Sequence, residues 1–229
     1  MKLTVIIPAY NESLTLARCV EAVYSRNPGL QLEVIIVDDA STDSTPEAAA
    51  ALKFPGLKYL RHARNQGKGA AIRTALPHVN GDYVIIQDAD LEYDPAEYSK
   101  LLQPLLAGRV GAVYGSRILG SKRKSTWLFY LGGRLLSWWT NVLYGSSITD
   151  EPTCYKLMGA QLLKSLDLRS CGFEFCPEVT GKLLKRGMEI AEVPISYAPR
   201  SVEEGKKIKF RDGAVALWTL LKIRLTGRM

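Results

Sequence analysis

Histidine is scarce in this 229-residue chain, with only His62 and His78, and its four cysteines (Cys19, Cys154, Cys171 and Cys176) form no Cys-x-x-Cys pair. Patterns for zinc are therefore missing, and the thiols read as core filler in a reduced, cytosolic setting. No Walker loop is present, because Gly67-Lys68-Gly69 lacks both the four-residue spacer and the Lys-Ser/Thr ending. No Gly-x-Gly-x-x-Gly follows the first apolar run, which argues against a nicotinamide or flavin site. No apolar run reaches the ~18 residues a spanning helix needs. The opening Met-Lys-Leu-Thr-Val-Ile-Ile-Pro is too short an apolar run for a signal peptide and meets a proline.

What is present suits a globular protein: 47% hydrophobic and 23% charged residues over 229 positions supply one sizeable core, or at most two small domains. The formal net charge of +7 is unevenly spread. Residues 1–100 carry 10 Lys/Arg against 13 Asp/Glu, whereas residues 101–229 carry 20 against 10. A basic second half points to an anionic partner: nucleic acid, a phosphorylated ligand or a membrane surface.

Short β-branched runs alternate with helix-forming stretches. Leu3–Ile7 reads as a strand stopped by Pro8, and Asn11 can cap a helix starting near Glu12. Leu32–Val37 is a second buried strand, Leu57–Leu60 a third, and Asp82–Ile86 a fourth. Ser41 or Asp43 can cap the helix carrying Ala48–Leu52, and the Gly67-Lys68-Gly69 segment opens another. This alternation predicts an α/β fold with a mostly parallel sheet and right-handed crossovers.

Ligands of such sheets sit beyond the carboxyl ends of the strands. Three polar clusters fall there: Pro8-Ala-Tyr10-Asn11-Glu12, Asp38-Asp39 and Asp88-Ala89-Asp90. Tyr10 can stack on a base, while Glu12 and Asp39 can accept hydrogen bonds from base or ribose; each also has a local role open to it, as first-turn acid, turn or cap. Lys68 either faces phosphate or is solvated. Asp88 and Asp90 lie two apart in extended backbone, roughly 6.5–7 Å along the chain and pointing the same way. Together they can hold Mg2+ or Mn2+ when a substrate phosphate supplies further oxygens.

Val5-Ile-Ile-Pro8-Ala-Tyr10-Asn11-Glu12, Val37-Asp38-Asp39-Ala-Ser41-Thr-Asp43, Asn65-Gln-Gly67-Lys68-Gly69 and Asp88-Ala-Asp90 resemble the family-2 glycosyltransferases of the GT-A fold, a Rossmann-like single domain. Within that family the dolichol-phosphate mannose synthase group is the most similar type. The resemblance covers about residues 3–210 and implies a nucleotide-sugar half (1–115) and an acceptor half (116–229). It implies a donor pocket of Pro8, Tyr10, Glu12, Val37, Asp39, Lys68, Asp88, Ala89, Asp90, Glu92, Arg117, Glu178, Arg200 and Lys206. Asp88 and Asp90 are implied as metal ligands, with Glu92 as a third. Catalytic positions are Asp90, Arg117, Asp150 and Arg200. Arg117 falls beside the metal site by analogy, Asp150 near sugar and acceptor, and Arg200, Lys206 and Lys209 match the acceptor-loop positions. Cys154-Tyr155 stands where many synthases have Gly-Phe.

The second half also has a character of its own. Tyr130, Arg134, Ser137 and Asn141 form one polar stripe of a helix over about 127–144, surrounded by Leu128, Leu131, Leu135, Trp138, Trp139 and Val142. With Lys122-Arg123-Lys124 beside it, this helix suits a membrane interface, or else a core or dimer contact. Residues 197–211 form a basic loop suited to closing over phosphates, and Asp212 can cap a last helix over about 212–226.

The expected activity is inverting transfer of a hexose from a nucleotide diphosphate sugar, GDP-mannose or UDP-glucose, to a polyprenyl or dolichyl phosphate. The expected protein is cytoplasmic and peripheral on the inner face of the membrane, with a membrane-protein partner left open. Nucleic acid is not an expected partner, because the aromatics form an amphipathic helix rather than a stacking sheet. A soluble glycan or small-molecule hydroxyl acceptor, or a non-catalytic nucleotide-binding module, is the alternative. With a hydroxyl acceptor Asp150 must take a proton, so Asp150→Asn should abolish that transfer and only slow transfer to phosphate.

Overall fold

Val5, Ile6, Ile7, Val34, Ile35, Ile36 and Val37 are all fully buried. Strands this apolar on both faces require helices on both faces. The computed structural model describes residues 1–27, 29–108, 110–120, 127–200, 207 and 210–226. The strands are β1 (Lys2–Ala9), β2 (Gln31–Asp38), β3 (Leu57–Arg61), β4 (Tyr83–Ile86), β5 (Ala112–Ser116), β6 (Lys156–Gly159) and β7 (Ile190–Pro194). They form one sheet in the order β3-β2-β1-β4-β6-β5-β7. All neighbours are parallel except β6, which runs antiparallel between β4 and β5.

The helices are α1 (Leu16–Ser25), α2 (Thr45–Ala51), α3 (Lys68–Ala75), α4 (Tyr98–Leu106), α5 (Arg117–Gly120), α6 (Trp127–Tyr144), α7 (Ala160–Ser165), α8 (Phe175–Lys185) and α9 (Phe210–Leu225). The α/β expectation therefore holds. Several local expectations do not: α2 has Ser44, not Ser41 or Asp43, at its N-cap position, and Asp212 lies inside the first turn of α9 instead of capping it. β1 runs through Pro8 to Ala9, because Pro8 stays in register with Val37 while pairing to β4 already ends at Ile6. Without an N–H, Pro8 is tolerated where one side of the ladder has ended. Asn11 is no helix cap: it sits at φ 52, its Oδ1 accepts from Thr42 N at 2.8 Å, and α1 begins only at Leu16.

Of the polar stripe of α6, Ser137 is buried and Asn141 half-buried against the body of the protein, and the exposed Arg134 reaches back to it. Ser137 Oγ accepts from Glu151 N (3.0 Å), Asn141 Oδ1 from Ile148 N (2.8 Å), and Arg134 donates to the Thr149 carbonyl (3.3 Å). These bonds secure the turn over residues 146–152, whose backbone lacks a strand partner. The apolar side chains at 128, 131, 135, 138 and 142 face outward instead and are 44–57% exposed. Their alternating three- and four-residue spacing makes one continuous stripe. α9 packs against α6 through Leu136, Ala216 and Leu220, with Trp139 Nε1 donating to the Leu217 carbonyl at 3.2 Å. It adds exposed Val215, Trp218 and Leu225. Among the described residues no helix is long and apolar enough to cross a membrane.

Candidate active site

The carboxyl ends of β1, β2 and β4 lie side by side and turn into loops rich in acids. Asn11, Ala40 and Leu91, one in each loop, hold left-handed φ values of 52, 60 and 62. That conformation costs an alanine or leucine of order 1–3 kcal/mol, so the loop tips are held by their surroundings rather than by local preference. Val37 and Ala89 are buried in the core behind these loops, and Pro8 lies half-buried in the last turn of β1.

Asp39 organises one wall. Its Oδ1 accepts from Gln66 N (2.8 Å) and lies 2.7 Å from His62 Nδ1, and its Oδ2 accepts from Gly67 N (2.7 Å). Both oxygens that sequence reasoning offered to a base or ribose thus hold the loop entering α3. His62, whose Nε2 meets Thr74 Oγ1 at 2.9 Å, completes this brace. It is a functional residue the sequence reading passed over, although a histidine directly after β3 falls at the correct edge. Gly67 has φ +97, and a Cβ there would collide with the Cys171 carbonyl, so only glycine lets this loop close. Asp38 stays in its turn, accepting from Ser41 N (2.8 Å) and Tyr59 OH (2.9 Å).

The remaining acids are matched by cations. Asp88 lies 2.5 Å from Lys68 Nζ, which also donates to Cys154 Sγ at 3.5 Å. Asp90 pairs with Arg200 at 3.0 Å. The same guanidinium reaches Glu12 at 3.1 and 3.2 Å. Glu12 also pairs with Lys207 at 2.6 Å, and Lys207 donates to the Tyr10 carbonyl. Glu92 faces a different set: Tyr197 OH donates to it at 2.7 Å and Arg200 N at 2.7 Å. Burial, then the neighbouring Asp88 and Glu92 carboxylates, push Asp90 up to about 7, against the pull of Arg200.

These residues fit a divalent cation at Asp88 and Asp90. They supply hard oxygen donors, and part of what raises Asp90, after burial, is the negative charge of Asp88 and Glu92, which a cation would offset. Among the described residues, no three His, Cys, Asp or Glu side chains are gathered to hold a metal. Glu92, expected as the third, is engaged with Tyr197 and Arg200.

Arg117 starts α5, on the side of β5. Its backbone N and Nε donate to Asp150 Oδ2 at 2.8 Å each, and its Nη2 donates to Oδ1 at 2.7 Å. The guanidinium carbon is 5.1 Å from the Tyr197 ring centre and 5.9 Å from that of Tyr93. Glu178 lies in a separate cluster. It accepts from Arg169 N and Ser170 N and pairs with Lys182 at 2.7 Å, fixing the loop whose Cys171 carbonyl accepts from Ala70 N. Lys206 and Lys209 lie outside the described residues.

A mostly parallel α/β sheet with one antiparallel strand beside β4, and acids gathered at its carboxyl edge, agrees with the GT-A fold. Residues 4–156 match the model of glycosyl transferase family 2, and the chain belongs to that family. It is 32% identical, over 92% of its length, to the low-salt glycan biosynthesis hexosyltransferase Agl6 of Haloferax volcanii, of which it spans about half (51%). It is 29% identical to the undecaprenyl-phosphate mannosyltransferase of Micrococcus luteus, over 98% of this chain and 99% of that one. Among solved structures, glucosyl-3-phosphoglycerate synthase from Mycobacterium tuberculosis superposes with a TM-score of 0.76 at 23% identity, covering 97% of this chain and 79% of that chain.

Proposed function

We propose that this protein transfers a hexose, mannose or glucose, from a nucleoside diphosphate sugar to a polyprenyl phosphate at a membrane surface. One observation carries the reading: α6 joins an outward apolar face to an inward polar stripe that braces the Asp150 turn, and Asp150 grips Arg117. An acceptor with a long hydrocarbon chain and a phosphate head needs both ends of that arrangement. The likeness to an undecaprenyl-phosphate mannosyltransferase over nearly the full length of both chains supports it.

Donor recognition falls to the edge of β1, β2 and β4. The half-buried Tyr10 offers a stacking face for the base. Asp88 and Asp90 would hold Mg2+ or Mn2+, which would supply charge neutralisation for a diphosphate. The related fold of glucosyl-3-phosphoglycerate synthase has been crystallised with Mn2+ and UDP. Lys68 and Arg200, paired with those acids, would offer their charge to phosphate oxygens. Arg117 offers a third cationic contact.

The acceptor needs no strong base. A phosphate monoester with a second pKa of about 6 is already mostly dianionic at neutral pH. This agrees with Asp150, whose two oxygens are both engaged by Arg117 and are therefore poorly placed to receive a hydroxyl proton. That same engagement disfavours a soluble sugar hydroxyl as acceptor.

The test is a transfer assay on the full chain with labelled GDP-mannose and UDP-glucose, undecaprenyl phosphate in detergent, and Mn2+. Hexosyl lipid forms with one of the two donors, and formation stops on chelation with EDTA and returns with Mn2+. Donor hydrolysis without any lipid product would remove the lipid acceptor, and lack of any donor turnover would remove the enzyme.

A further inference from the structure

Glu192, in the middle of β7, spends its carboxylate on the backbone of another element. Its Oε2 accepts from Thr149 N at 2.7 Å and its Oε1 from Asp150 N at 2.9 Å. Two adjacent amides captured by one carboxylate fix both the position and the tilt of the peptide between them. The side chain carried by the second of these residues is the one that holds Arg117.

The same turn is fastened at two further points. Glu151 N donates to Ser137 Oγ on α6 at 3.0 Å, and the buried Lys156 ammonium donates to the Glu151 carbonyl at 2.6 Å. Three separate elements, β7, α6 and β6, thus converge on three consecutive residues. Asp150 and Glu151 are buried, so their amides need partners in any case; drawing those partners from three elements goes further than satisfying them. It sets the bearing of a functional side chain.

The guanidinium explains what is being set. Asp150 takes the Nε–H and one Nη2–H side-on, and a guanidinium has five N–H donors in one plane. The three that remain lie on the edges turned from Asp150, in a fork whose direction is fixed once Asp150 is fixed. Such a fork matches a phosphate.

We propose that Glu192 is a positioning residue for phosphate capture: by holding the Thr149 and Asp150 amides it orients Asp150, and through Asp150 it aims the phosphate-binding edge of Arg117. The inference rests on the function proposed above. It does not depend on whether the phosphate comes from the donor or from the acceptor, and the experiment separates the two.

Titration calorimetry on the full chain measures two dissociation constants, one for a nucleoside diphosphate (GDP and UDP in turn) with Mn2+ and one for farnesyl phosphate. Arg117→Lys identifies which of the two sources the guanidinium holds. Glu192→Gln keeps one acceptor oxygen and turns N–H donors towards the other amide. It should weaken that same ligand about 10-fold, leave the other within about twofold, and add nothing further in the Arg117→Lys background. Glu192→Ala should weaken the same ligand by more; if it fails to fold, the Gln variant decides alone. The proposal is overturned if Glu192→Gln only lowers Tm with both constants unchanged, or if it weakens both ligands alike. Full additivity with Arg117→Lys, or an Arg117→Lys variant that binds both ligands normally, overturns it equally. Wild-type protein that binds neither ligand would instead remove the proposed function as a whole.

Discussion

Two acids, the buried Glu33 and the partly buried Asp90, stand at opposite ends of the same sheet, and their surroundings could hardly differ more. Glu33, near the start of β2, accepts from Thr4 Oγ1 (2.7 Å), Asn80 N (2.8 Å), Asn80 Nδ2 (3.1 Å) and Lys58 Nζ (2.9 Å). Burial alone would raise it, but these donors outweigh burial and hold Glu33 near about 2. Asp90, beyond the end of β4, faces burial and two other carboxylates with Arg200 as counterweight, and is pushed up to about 7. A saturated acid ties elements together. An acid raised by burial and by neighbouring carboxylates is held in a state that a bound cation would relieve, as the proposed function requires.

The sharpest way to break this contrast is Asp90→Asn. Transfer and metal-dependent donor hydrolysis should fall by about 10²–10³-fold. Thermal stability should hold or rise, because a crowded charge has been removed. A variant that keeps its activity would place the chemistry elsewhere.

Glu33→Ala should do the reverse. Removing one partner of a buried charged network costs about 3–5 kcal/mol, read as a lower urea midpoint, while kcat of the folded fraction stays near wild type. Normal urea resistance would show that the hub contributes nothing.

The pH dependence of unfolding sharpens the same point. A carboxyl whose folded pKa is depressed gives stability that is fully present above its unfolded pKa and is lost as pH falls. Glu33 should therefore contribute a loss of stability between its ordinary value of 4.5 and about 2. Glu33→Gln should flatten the urea-midpoint profile in that window, and a profile as steep as wild type would assign the acid sensitivity to other groups.

The smallest effect is expected on the outer face. Trp138 and Trp218 are 57% and 61% exposed, so replacing both by glutamine should leave Tm unchanged. Binding to anionic vesicles, followed by co-sedimentation at low salt, should weaken about 10-fold. Equal sedimentation of wild type and variant would direct this face to a protein partner instead.

Much of this was legible in the chain itself. The alternation of buried runs with helices announced the sheet, and Asp88-Ala-Asp90 fell just past the end of β4; the chain turns at 89–90 instead of staying extended, so Asp88 faces Lys68 and Asp90 faces Arg200. The stripe of Tyr130, Arg134, Ser137 and Asn141 was visible as well, but not its direction. Helical spacing says which residues share a face, and only the loop at 146–152, arriving from the other side, made the polar face the inner one. Asp39 was seen as a ligand contact because its partners, His62, Gln66 and Gly67, are long-range in sequence and carry no local signature. Glu192 gave no sign at all, since an acid in an edge strand ordinarily points at water. Glu178 drew notice only through the resemblance, and its real neighbours are local.

The antiparallel strand has a consequence for how the molecule is made. A chain emerging from its amino end completes β1 to β4 by residue 86, yet the next strand in the sheet, β6, begins only at residue 156. Through those intervening seventy or so positions β4 keeps a bare hydrogen-bonding rim, and β5 has nothing to dock on. The nascent first half therefore carries a sticky border during synthesis, and its protection from mispairing falls to helper proteins or to the speed of the ribosome.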